Sequence, residues 1–107
     1  ANVPHGTLVG ITGLYQGAQI TLKNGEMIRL GRSSENDLIF ADQMHVSRQH
    51  CQITWDEAKG QYKIYDTSST GSYMNGQEEP LPQNMEVWLG TGVTLDIGDS
   101  TNRFSLE

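Results

Sequence analysis

Two stretches of this 107-residue chain gather hydroxyl and cationic side chains: Gly31–Asn36 continued by Ala41–His50, and Thr67–Gly71. Arg32 and Arg48 offer fixed positive charge, while Ser47, Ser68, Ser69 and Thr70 offer short hydroxyls. A phosphate monoester has the complementary need, with about −1.5 to −2 charges at neutral pH and three acceptor oxygens. A forked guanidinium with several short donors meets that need, and N–H groups of glycine-containing turns add more. If both stretches reach one end of the fold, an acidic protein carries a locally basic pocket there.

Other chemistries fit the same residues less well. His45, His50 and Cys51 are metal-ligand types, but a structural zinc site needs four ligands, usually in paired spacings, and no second pair exists. No metal and no cofactor is therefore expected. Ser47, His50 and either Asp42 or Asp66 supply the types of a catalytic triad, yet there is no G-x-S-x-G elbow. A G-x-x-x-x-G-K-[ST] nucleotide loop is also missing. The expectation is a binding module with no catalytic residues.

The elements that must position these residues read as strands. Cys51, Ile53 and Trp55 alternate with His50, Gln52 and Thr54, and Tyr62, Ile64 and Asp66 alternate with Lys63 and Tyr65. That period of two marks half-buried strands. Further strands are expected at Thr7–Tyr15, Ala18–Lys23, Met27–Leu30, Asp37–Phe40, Ser72–Met74, Glu86–Leu89, Val93–Ile97 and Arg103–Leu106. Asn24-Gly25 between apolar runs predicts a hairpin. The 12 Gly are spread among tight turns rather than gathered in a linker. Strands at roughly ten-residue spacing predict an all-β sandwich or barrel, and the architecture expected is a two-sheet antiparallel β-sandwich, a single domain over residues 1–107.

Composition narrows the partners. With 7 Lys+Arg against 13 Asp+Glu and a net charge of −6, the chain lacks the basic excess of a nucleic-acid binder. No run approaches the ~20 apolar residues of a membrane span, and no basic-then-apolar start resembles a signal peptide. The lone Cys51 fits a reducing compartment, so a cytoplasmic location is expected. Because the sequence begins with Ala1, it is expected to be one domain excised from a longer multidomain chain.

The order of the motifs carries a resemblance. Gly31-Arg32, then Ser47-Arg48-Gln49-His50, then Asp66 through Ser72, closed by Asn75-Gly76, resembles the forkhead-associated (FHA) domain family. The family pattern is Gly-Arg, Ser-x-x-His, a Ser/Thr-rich loop ending in Asn-Gly-Thr, and a final Asn-Gly. The resemblance implies a sandwich of about eleven strands that binds phosphothreonine in partner proteins through loops at one end. It implies phosphate contacts from Arg32, Ser47, Arg48 and Ser69, and a peptide-backbone contact from Thr70. Gly31, His50, Asn75 and Gly76 would scaffold the loops. Residues near Gln43–Val46 or Ser72–Met74 would read the peptide three positions after the phosphothreonine. Thr70 stands where the family usually has Asn, and Ser72 where Thr is usual. An Asn amide both donates and accepts, whereas Thr70 offers a single hydroxyl. These departures motivate an alternative, an FHA-like module that binds a partner or self-associates without phosphate.

Overall fold

The computed structural model describes residues 5–107. Residues 1–4 belong to the domain expected over 1–107 and to the start read for a signal peptide, and they lie outside the described residues. Ten strands are formed: β1 Thr7–Thr12, β2 Gln19–Thr21, β3 Met27–Gly31, β4 Leu38–Ile39, β5 Cys51–Asp56, β6 Gln61–Asp66, β7 Ser72–Met74, β8 Glu86–Gly90, β9 Val93–Ile97 and β10 Arg103–Leu106. They form two five-stranded sheets, ordered β2-β1-β10-β9-β7 and β4-β3-β5-β6-β8. The two-sheet all-β architecture is the one expected, with ten strands among the described residues rather than about eleven. No helix among them is long and apolar enough to cross a membrane.

Period-two alternation builds the interior. Cys51 faces Asp66, Ile53 faces Ile64 and Trp55 faces Tyr62 across the β5–β6 ladder, and all six are buried. The Trp55 and Tyr62 rings lie 4.7 Å apart. Tyr62 gives its hydroxyl to the Thr7 carbonyl at 3.3 Å, which joins the two sheets, and burial pushes its phenol up to about 12. Phe40 packs edge-on to Tyr15 and Phe104 at 5.1 and 6.2 Å. This aromatic contact fastens the chain after β4 to the opposite sheet.

Two local expectations are corrected. Asn24-Gly25 does not close a hairpin, because β2 pairs with β1 and β3 pairs with β5, in different sheets. The turn is pinned instead to the end of β5, by Gly25 N–H on the Trp55 carbonyl (2.7 Å) and Trp55 N–H on the Glu26 carbonyl (3.2 Å). Leu22, 3% exposed, drops into the core at the crossing. The sandwich is also not wholly antiparallel, since β4 runs parallel to β3 with Leu30 beside Leu38 and Gly31 beside Ile39. The short return is held by the Arg29 N–H on Asp37 Oδ2 (2.9 Å) and by Asp37 N–H on the Arg29 carbonyl (2.9 Å).

Cys51 is 3% exposed, and burial, aided by the charge of Asp66, pushes its thiol well above the ordinary range. Only the thiolate is nucleophilic. The native chain should therefore resist iodoacetamide at mildly alkaline pH, while the denatured chain alkylates readily. Equal labelling of both, read by mass spectrometry, would contradict this burial.

Candidate functional site

Strand registers bring the chemically dense stretches to one end. Leu30 near the end of β3 pairs with Cys51 at the start of β5, and Cys51 also pairs with Asp66 at the end of β6. In the other sheet, Ser72 at the start of β7 pairs with Ile97 at the end of β9. The loops leaving β3, entering β5, joining β6 to β7 and leaving β9 thus share a rim.

Backbone bonds join the first two segments of that rim. Arg32 N–H donates to the Ser47 carbonyl (2.9 Å) and Ser33 N–H to the Arg48 carbonyl (3.1 Å). Asn36 Nδ2 reaches the same Arg48 carbonyl at 2.7 Å. Gly31 is required here for proximity rather than for an unusual dihedral. A Cβ on it would stand 2.2 Å from the Arg48 carbonyl oxygen, and its φ is not positive.

His50 joins this pair of segments to the loop after β6. It is fully buried. Its Nδ1 accepts the Ser47 N–H at 3.1 Å, and its Nε2 lies 2.9 Å from the Gly71 carbonyl. An N–H must donate to that carbonyl, so the ring is the neutral Nε2–H tautomer. Burial lowers the His50 pKa, and the nearby Asp66 charge opposes the shift only in part. Gly71 adopts φ 92°, a conformation open to glycine, and its carbonyl also accepts Gly98 N–H at 3.0 Å.

Closer to the surface, Ser69 N–H donates to Ser47 Oγ at 3.1 Å, and the Ser47 and Ser69 hydroxyl oxygens lie 3.3 Å apart. Thr70 Oγ1 donates to the His45 carbonyl at 2.7 Å, so its one donor already ties the loops together. Arg32 is half-buried and Arg48 exposed. Neither makes an ion pair among the described residues. The nearby carboxylate of Asp37 lies 3.7 Å from Arg29 Nε. The rim segments therefore carry two arginines with no carboxylate partner among the described residues, along with a bonded pair of serines.

The triad arrangement is not formed. Ser47 gives His50 its backbone N–H, while its hydroxyl faces Ser69. Asn75 and Gly76, with φ 54° and 71°, make the tight turn that their sequence predicts. That turn ties β7 to β9, the Thr94 N–H donating to Asn75 Oδ1 at 2.9 Å. Of the residues expected to read the peptide beyond the phosphate, Val46 and Ser72 are buried. Met44, 77% exposed, and the exposed His45, 3.6 Å from Asp99, face outward. Tyr73 lines an open groove of about 370 Å³ beside the rim with Gly98, Asp99 and Arg103. Gly98, one of the glycines spread among the turns, is also held by proximity, since a Cβ there would stand 2.0 Å from the His45 carbonyl oxygen.

The FHA domain family model matches residues 28–98, a segment that contains every one of these loops up to Gly98. The chain belongs to the FHA domain family. This FHA domain is 35% identical over 92 residues to E3 ubiquitin-protein ligase CHFR of Pongo abelii. That match covers 86% of the chain but 16% of the ligase, so the chain spans about one-sixth of that relative's length. Its fold resembles the FHA domain of an Arabidopsis thaliana hypothetical protein, with a TM-score of 0.74, 27% identity, and coverage of 99% of this chain and 90% of the other. It also resembles the N-terminal FHA domain of S. cerevisiae Rad53p, solved in complex with a phosphothreonine peptide. There the TM-score is 0.70 with 21% identity, and coverage is 92% and 87%.

Proposed function

We propose that this FHA domain is a non-catalytic reader of phosphothreonine in partner proteins and one module of a longer chain. The observation that carries the reading is the junction at Ser47 and Ser69, on a rim whose Arg32 and Arg48 make no ion pair among the described residues. In this reading Arg32 supplies charge and a bidentate fork, and Ser47, Arg48 and Ser69 supply short hydrogen bonds. Thr70, its donor spent on His45, keeps only acceptor capacity for a peptide N–H. The yeast domain solved with a phosphothreonine peptide supports the same ligand class.

The experiment is titration with matched peptides bearing phosphothreonine, phosphoserine or Thr. Phosphothreonine should bind tighter than phosphoserine by about fourfold, the value of one buried methyl at about 0.8 kcal/mol. The Thr peptide should not be retained. Thr70's committed donor favours one second reading, docking of a partner or a second copy without phosphate. Under that reading all three peptides behave alike and phosphatase treatment of the partner leaves capture intact.

A further inference from the structure

The inner face of β6 ends in a charged side chain. Asp66 is 1% exposed, at a position the alternation reserves for the core. Its Oδ1 accepts both the N–H of Ser68 (2.7 Å) and the hydroxyl of Ser68 (2.6 Å). The Ser68 oxygen in turn accepts Gly71 N–H at 2.8 Å, and the Ser68 carbonyl accepts Gln83 Nε2 at 2.7 Å. Ser68 is itself 5% exposed, whereas Ser69 and Thr70 between these anchors are exposed.

A buried polar side chain is costly unless it is hydrogen-bonded; Oδ2 of Asp66 has no partner among the described residues, and the bonds made by Oδ1 do structural work. They close residues 66–71 into an arc whose two ends are fixed inside and whose apex points out. At that apex the Ser69 N–H meets Ser47 Oγ. The chain of contacts runs from Asp66 to Ser68 to Gly71, then through the Gly71 carbonyl to His50 and on to the Ser47 N–H. Both serines at the junction are therefore anchored to one buried network.

We propose that Asp66, acting through the Ser68 hydroxyl, is the positioning residue of the second loop, holding Ser69 against Ser47 so that the two present themselves together to a phosphate. The inference rests on the phosphate-binding reading above. Asp66 and Ser68 touch no ligand in it; they act through Ser69.

The test compares Ser68→Ala, Ser68→Thr and Ser69→Ala in calorimetric titrations with a phosphothreonine peptide, at a temperature well below every variant's melting point. Ser68→Ala should weaken binding about tenfold, and Ser68→Thr, which keeps the hydroxyl, should restore most of it. In a Ser69→Ala background the further loss from Ser68→Ala should shrink to less than about twofold, since residues acting through one another are not additive. A merely structural Ser68 would lower the melting temperature and leave affinity unchanged, or cost the same in both backgrounds. Either result overturns the proposal. If Ser68→Ala does not fold, the wild-type chain decides. Saturating phosphopeptide should slow amide exchange at Ser68 and Gly71, by the reciprocity of coupled equilibria, and unchanged exchange overturns the inference. Arg32→Ala separates the two levels: loss of binding there with no effect at Ser68 rejects only the positioning role, whereas wild-type binding there rejects the phosphate reading itself.

Discussion

Arg32→Ala should weaken phosphothreonine-peptide binding by at least ~2 kcal/mol, roughly thirtyfold, with the melting temperature unchanged. A hydrogen bond to a charged group contributes about 1.5–3 kcal/mol net, and a forked guanidinium on a phosphate makes two. The fold survives because its tie at this residue is the backbone N–H to the Ser47 carbonyl, which truncation of the side chain leaves in place. No carboxylate is stranded either, since Arg32 pairs with none among the described residues. Arg32→Lys keeps the charge without the planar fork and should fall between the two. Arg48→Ala should cost less, because an exposed charge is screened by water and salt. Calorimetry on the same phosphopeptide checks all three, and wild-type affinity for Arg32→Ala would reject the assignment.

What the sequence shows and hides follows from the range of each signal. Alternation is a local property that reports a face, so the buried side of β5 and β6 was legible residue by residue. Asn24-Gly25 is equally local: it specifies backbone angles for a turn but not the strand that the next segment pairs with. Leu22 enters the core where the chain crosses from one sheet to the other. The parallel β3–β4 contact involves two residues of β4 and rests on Asp37 reaching back to Arg29, which no periodicity records. Within the site, the spacing of Ser47 and His50 suited a brace, and both His50 nitrogens are engaged as one. Asp66 showed only as a polar residue on an apolar face. Its meaning needed the distance to Ser68, as the tie from Thr70 to the His45 carbonyl needed the distance between those two residues.

The largest expected effect on stability comes from His50→Ala. Removing a fully buried ring leaves a cavity, and large-to-small core substitutions typically cost about 2–5 kcal/mol. The Ser47 N–H also loses its acceptor, while the Gly71 carbonyl keeps the Gly98 N–H. A loss of about 3 kcal/mol follows, roughly 12–24 °C in melting temperature for a domain of this size. The effect should depend on pH in a definite direction. The folded state holds His50 neutral with its pKa lowered by burial, while the unfolded chain takes a proton near the ordinary value of about 6.5. Below that value the unfolded state binds more protons, so the wild-type chain loses stability as pH falls towards the lowered folded value. Protonation also replaces the Nδ1 lone pair with an N–H that faces the Ser47 N–H, and Asp66, the charged neighbour, offsets this only in part. His50→Ala has no such proton to take up. The gap in melting temperature between wild type and variant should therefore be widest at neutral pH and narrow as the solution is acidified below about 6.5. Thermal denaturation of both proteins across that range is the measurement; equal melting temperatures at neutral pH, or a gap that widens on acidification, would remove His50 from the centre of the loop architecture.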